Sequence, residues 1–188
     1  MKENWKPGTL LYPLPAVLVS CGDKQRSNIF TVAWTGTICT SPAMLYISVR
    51  PERYSYELIK ANMQFTVNLT TESMAKATDF CGVRSGRDGD KWALTGLHQY
   101  PGVAVECPAV EESPISIECR VKSIISLGSH DMFIAEVVNV LADTKYMDNE
   151  TGRFDLDAAG LMSYSHGGYF AQGEKLGTFG FSVKKKSR

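Results

Sequence analysis

Apolar residues alternate with polar ones over much of this chain, in short runs broken by glycine, proline and aspartate. A period of two sets one face of a strand on a core and the other in water. The clearest instance is 115–122, where Ile115, Ile117, Cys119 and Val121 interleave with Ser116, Glu118, Arg120 and Lys122. A second strand is predicted over 132–141. Leu127-Gly128-Ser129-His130-Asp131 joins the two, so they pair antiparallel. Apolar runs at 16–21, 28–33, 44–49 and 65–69 predict further strands, the first two forming a hairpin across Gly22-Asp23. A helix is predicted from about 54 to 61. A second is predicted to start with Thr70 as N-cap, with Leu69 and Met74 as a hydrophobic staple and Gly82 as the residue that ends it. A short helical turn follows Asp90 and closes at Gly96. Hairpin-linked strands with few helices between them imply a mainly β, antiparallel barrel rather than a βαβ sheet.

Composition narrows this picture. With 188 residues, 44% hydrophobic and 21% charged, the whole chain, 1–188, reads as one globular domain. Twenty basic and 20 acidic residues cancel, which argues against a global attraction to nucleic acid. The basic run Lys184-Lys185-Lys186 with Arg188 reads as a solvated, flexible tail at 184–188. The start, Met1 to Pro7, lacks the apolar stretch of a signal peptide, and no apolar run nears the ~20 residues that span a bilayer. A cytoplasmic protein without a membrane partner is expected. The five cysteines are widely spaced without a CxxC pair, so they read as small core residues in a reducing compartment. Cys81, before Gly82, is the one expected nearest a site.

Several chemistries lack their motifs. No GxGxxG follows a strand, and GxxxxGK[ST], GxSxG and HExxH are absent. The three histidines lie far apart, so no metal site is expected. Asp155 and Asp157 offer too few oxygen ligands for an EF-hand and read as a solvated loop. The densest polar stretch is 27–56, where Thr31, Thr35, Thr37, Thr40, Ser41, Ser48 and Ser55 interleave with strand residues. Gly36 would let a backbone approach a ligand closely. Arg50 and Arg53 flank Pro51 just before a helix start, a setting suited to phosphate, although two arginines at a strand end also read as a solvated rim.

The ordered segments TVAWTG, SP, ISVRPERYSYELI, FTVNL, FCGVRSGRDGDKW, GSHDMFIAEVVNV and GGYFAQGEKLGTFGF resemble the flavin reductase-like family of FMN-binding split barrels, in its flavoredoxin and ferric-reductase-like branch. The resemblance runs from about 10 to 183. It implies a six-stranded antiparallel Greek-key split barrel with a few flanking helices, and a homodimer with FMN near the subunit interface. Ala33, Trp34, Thr35 and Gly36, continued by Thr37, match the lining of the flavin ring. Ser48, Arg50, Arg53, Tyr54 and Ser55 match the segment near the ribityl chain and phosphate. Ser85, Gly86, Asp88 and Lys91 match a loop that closes the site. His130 matches the histidine of a glycine-acid-histidine turn, with Ser129 where the acid is more usual. It reads either as a structural loop residue or as a group facing the flavin or a nicotinamide. Tyr169 reads either as a lid aromatic or as packing, and Trp34 carries the same ambiguity.

Three functions follow. The first is an FMN-dependent reductase drawing on NADH or NADPH and passing electrons to free flavin, ferric iron or a protein. The second is a flavoredoxin-like electron carrier reduced by a redox protein partner. The third is a barrel that has lost its flavin.

Overall fold

The computed structural model describes residues 1–183; the basic tail at 184–188 lies outside the described residues. In chain order the strands are β1 (Leu14–Pro15), β2 (Val17–Gly22), β3 (Ser27–Val32), β4 (Thr35–Thr40), β5 (Ala43–Val49), β6 (Gln64–Leu69), β7 (Gln99–Tyr100), β8 (Ala109–Val110), β9 (Ile115–Ser126), β10 (Asp131–Ala142), β11 (Met162–Ser165) and β12 (Gly168–Ala171). Three α-helices intervene: α1 (Tyr54–Asn62), α2 (Ala75–Val83) and α3 (Lys91–Thr95). None of the described helices is long and apolar enough to cross a membrane.

The main sheet is antiparallel and runs β3-β2-β6-β9-β10-β5-β4. It has seven strands where six were expected. The difference lies at Ala33-Trp34, which interrupts what would otherwise be one bent strand from 27 to 40. That interruption also closes the barrel. β3 and β4 are the two ends of the pairing order, yet only two residues join them, a reach of at most about 11 Å. The edges of the sheet therefore meet at this seam. A second sheet, β1-β11-β12, lies outside the barrel.

Alternation builds the core. Val17 and Val19 of β2, Phe65 and Val67 of β6, Cys119 and Val121 of β9, and Phe133 and Ala135 of β10 form one inner cluster. Leu18 and Ile29, of opposite parity, pack outward with Met74, Trp92 and Val110. β2 is thus buried on both faces, and no simple polar alternation marks it.

The polar face of β9 departs from expectation. Arg120 and Lys122 are exposed, but Ser116 and Glu118 are buried. The segment between β7 and β9 covers them. The Glu118 carboxylate accepts from Val103 N at 2.7 Å, Ala104 N at 2.8 Å and Asn139 Nδ2 at 2.9 Å. A buried carboxylate is tolerated because its lone pairs are engaged.

The second helix also begins differently. Thr70 donates to Ala16 O across the strands rather than capping a helix. A 3₁₀ turn at Glu72–Met74 precedes α2 instead. Leu69 and Met74 belong to different clusters and form no staple. Gly82 lies inside α2, where a Cβ would come within 3.3 Å of the Thr31 side chain. α3 follows the reading closely, with Asp90 accepting from Trp92 N and Gly96 closing the turn at φ +71.

Candidate functional site

Pro51 stops β5, and the chain turns at once into α1. Arg53 is the N-cap in extended conformation, and no side chain caps the helix. The positive end of α1 is therefore open to a ligand. Arg53, Tyr54 and Ser55 at this end line a cavity of about 460 Å³. Its opposite wall is the loop after α2. Gly86 lets that loop close on α1, because a Cβ there would lie 2.4 Å from Tyr54 Cδ1 and 2.6 Å from Asn28 Oδ1. Asn28 in turn donates to Ser55 Oγ at 2.7 Å.

Charge dominates this end. Arg50, Arg53, Arg84, Arg87 and Lys91 line the cavity, against the single acid Glu52. Lys91 is only 3% exposed, and its Nζ donates to Cys81 O at 2.8 Å. No carboxylate forms an ion pair with it among the described residues. Burial pushes the Lys91 pKa down; Arg53 adds to this and Asp88 opposes it. A buried ammonium without a counter-charge is costly. Cys81 contributes its carbonyl here. Its thiol is buried and raised to about 11 by that burial, which makes it a poor nucleophile.

A smaller hollow of about 160 Å³ adjoins the first and shares Phe30, Arg50 and Arg53 with it. The barrel seam forms its wall. Trp34 O accepts from Ser48 N at 2.9 Å, and the Trp34 and His130 rings lie 4.4 Å apart, tilted by 39°. Ser129 Oγ lies 2.9 Å from His130 Nδ1. Burial, reinforced by Arg50, lowers the His130 pKa, so the imidazole is neutral at pH 7. The turn carrying His130 is fixed from behind. Asp131 accepts from Tyr56 Oη at 2.6 Å and from Ser126 Oγ at 2.8 Å. The Tyr56 bond, then the Ser126 bond, lower the Asp131 pKa, and Asp131 raises that of Tyr56 to about 12. The acid of this turn thus follows the histidine instead of preceding it.

The fold brings Ala33, Trp34, Ser48 and His130 to the small hollow, and Tyr54, Ser55, Ser85 and Lys91 to the large one, with Arg50 and Arg53 between. Thr35, Gly36, Thr37 and Tyr169 line neither. Thr35 is buried and donates to Tyr46 O at 2.6 Å. Gly36 packs against the Tyr46 ring, where a Cβ would come within 3.2 Å. Thr37 is exposed on β4. Tyr169 meets Asp79 and the Tyr164 ring at 5.5 Å, and burial, then Asp79, raises it to about 12. Asn28, Phe30, Arg84 and Arg87 line the cleft without having been read as candidates. The two arginines bracket Ser85-Gly86, and that RSGR spacing was the available signal.

Comparison with known proteins gives the family and the fold. The family model described as a flavin reductase like domain matches residues 9–171. Flavoredoxin of Desulfovibrio vulgaris (Miyazaki F) superposes with a TM-score of 0.88 at 31% identity, covering 98% of this chain and 100% of that one. Flavoredoxin from Methanosarcina acetivorans gives a TM-score of 0.88 at 25% identity, with the same coverage. The Escherichia coli (strain K12) protein YddH is 29% identical over 88% of this chain and 90% of its own length.

Proposed function

The chain belongs to the flavin reductase-like family, and on that premise we propose that it holds FMN in the two-part cleft and passes electrons through it as an NAD(P)H-dependent flavin or ferric reductase. The observation that carries the reading is Lys91: a buried ammonium without a carboxylate, beside Arg53 and an uncapped helix start. These donors suit a phosphate, whose charge would offset the cost of burying the ammonium. FMN, when bound, supplies the capacity to take up a hydride and release electrons singly or in pairs.

The chain's own residues bind and orient. Lys91, Arg53 and the start of α1, with Ser55 and Ser85 beside them, take the phosphate. Arg50, shared by the two hollows, and Ser48, beside it in the small one, take the ribityl chain. The backbone at Ala33-Trp34 borders the ring, with Thr35, Gly36 and Thr37 holding β4 against β5 behind it. Trp34 and His130, whose rings lie 4.4 Å apart, line the small hollow and offer the flavin ring an aromatic wall. His130, neutral at pH 7, contacts the electron donor as an orienting group, because hydride transfer needs alignment more than a base.

A homodimer is part of this proposal. Trp5 and Leu11 at one end of the chain, and Leu176 and Phe179 at the other, are 78% to 106% exposed. A second copy would bury such arms and give the flavin a further wall, and Tyr169, which lines neither hollow of its own chain, is assigned to that wall. FMN affinity that rises with protein concentration would support the dimer, and concentration-independent affinity in a monomer would sink it. The five free cysteines suit a reducing cytoplasm.

The likeness to flavoredoxin over nearly the whole chain favours a second reading, a carrier reduced by a protein partner. Absorbance with added FMN, followed by anaerobic NADH and then NADPH, separates the two. Bands that bleach within seconds support the reductase and name its donor. Bound flavin that stays oxidised moves the function to the carrier. Absence of bound flavin refutes both.

A further inference from the structure

The polar end of the cleft carries more positive charge than one phosphate needs. A phosphate monoester bears at most two negative charges near neutral pH. Arg50 is paired with Glu52 at 3.6 Å, and Lys91 with Arg53 answers the phosphate assigned above. Arg26, Arg84 and Arg87 remain, and none of them pairs with a carboxylate among the described residues. All three lie on the phosphate side: Arg84 and Arg87 line the large hollow and not the small one, and Arg26 stacks on Tyr54, which lines it too.

Two of these arginines are held in place. The Arg26 and Arg87 guanidinium carbons lie 5.2 Å and 5.6 Å from the centre of the Tyr54 ring. Arg26 Nε donates to Tyr54 Oη at 2.9 Å, and an Arg87 Nη donates to Glu52 O at 3.1 Å. Each bond uses one of five donors and leaves most of the planar fork free. Guanidiniums gathered around one ring repel each other unless an anion joins them. Space permits one, since the hollow at this end holds about 460 Å³ against about 160 Å³ at the Trp34 end.

We propose that Arg26, Arg84 and Arg87, arranged around Tyr54, form a second anion subsite that takes the additional phosphate of an adenine dinucleotide. The proposal rests on the assignment of the first phosphate to Lys91 and Arg53. Two ligands offer the same chemistry at this position: the adenylate-side phosphate of FAD, or the 2′-phosphate of NADPH.

The test compares wild-type protein with the Arg84→Ala/Arg87→Ala double variant. FMN and FAD are titrated by flavin fluorescence, and the FMN-loaded proteins are then reduced anaerobically with NADH and NADPH. The expected FMN affinity changes by less than about threefold, while one dinucleotide preference falls by about tenfold, the loss of one or two charge-assisted hydrogen bonds. A fall confined to FAD names flavin adenine dinucleotide as the ligand. A fall confined to the NADPH-to-NADH rate ratio names the 2′-phosphate. Unchanged values for both, or FMN affinity falling in step with them, overturn the subsite. Arg26→Ala, on a different element, is expected to weaken the same ligand and so separates a binding loss from local collapse of the loop. If wild-type protein binds no FMN, the reading of the cleft fails separately. Titration with ADP and 2′,5′-ADP then decides the subsite alone: binding lost in the double variant upholds it, and absence of binding refutes it.

Discussion

The two ends of the cleft are built on opposite principles. At the Lys91 end, cations crowd together with one acid among them, and a buried ammonium rests on a backbone carbonyl. At the Trp34 end, an indole and an imidazole held neutral lie against each other, and charge comes only from Arg50 and Arg53, which the two hollows share. The first end is electrostatically incomplete without an anion, whereas the second is complete as it stands. Affinity should therefore reside at the charged end, and the choice of electron donor at the aromatic one. The contrast also separates two costs. Stability is given up at Lys91 to hold a charge ready, while Trp34 and His130 satisfy each other in the free protein.

The sharpest way to break the comparison is Lys91→Met, which keeps volume and removes the charge. FMN affinity should fall about 30-fold or more, since a buried charge-assisted contact is lost. The thermal midpoint of the flavin-free protein should stay level or rise, because an uncompensated ammonium is removed. The pH dependence follows from the direction of the shift. A cation with a lowered folded pKa weakens the fold while it is charged, so wild-type stability should climb as pH rises from the folded value towards about 10.4. That climb should flatten in the variant. A parallel loss of affinity and stability would mean that Lys91 is merely structural. Arg53→Ala should come next. FMN should weaken about tenfold and riboflavin, which lacks the phosphate, hardly at all. Equal loss of both ligands would remove Arg53 from the phosphate end.

The two ends were also unequally legible in the sequence. The strands of the barrel could be read wherever one face meets water, as in 115–122, and the turns were marked by glycine and aspartate. β4 could not be read this way. Thr35, Thr37 and Thr40 mix with Gly36 and an exposed Ile38 on a strand at the end of the pairing order, and only pairing with β5 defines it. Glu118 misled for a related reason, since the segment that buries it lies 14 and 15 residues earlier and has no regular pattern. Thr70 carried a helix-start signal, but its hydroxyl is taken by a neighbouring strand, a tertiary contact that local rules do not contain. At the site, Arg50 and Arg53 were visible from their place before a helix. Lys91 came only through family resemblance, because nothing in its local sequence says that it is buried. Arg84 and Arg87 stood in the same string and were not singled out. The Trp34–His130 contact joins residues at the two ends of a long separation, so it was visible only in the fold.

Smaller effects should follow at the aromatic end. His130→Ala should leave FMN affinity within about threefold while slowing reduction by nicotinamide, and Trp34 fluorescence should change as its stacked partner disappears. Because the His130 pKa is lowered, its neutral form should persist across neutral pH. The wild-type reduction rate should be flat there and change only as acid protonates the ring; the variant should lack that inflection. An FMN affinity loss as large as that of Lys91→Met would erase the division between the two ends.

The smallest effect should come from Tyr56→Phe, which removes a hydroxyl that never enters the cleft. It lies behind the turn that holds His130, joined to Asp131 at 2.6 Å. The thermal midpoint should drop by roughly a few degrees, the scale of one hydrogen bond in a domain of this size. Asp131 has a depressed folded pKa, so its contribution is present above its unfolded value near 3.9 and is lost as pH falls through the folded one. Tyr56 has a raised folded value of about 12, so its contribution is present below about 10 and is lost as pH rises through about 12. The difference between wild type and variant should therefore be level between about pH 4 and 10 and should shrink on either side. If the bond also positions His130, the variant should slow nicotinamide reduction while FMN affinity holds. A stability loss with an unchanged reduction rate would leave the tyrosine as a brace of α1 against β10 and nothing more.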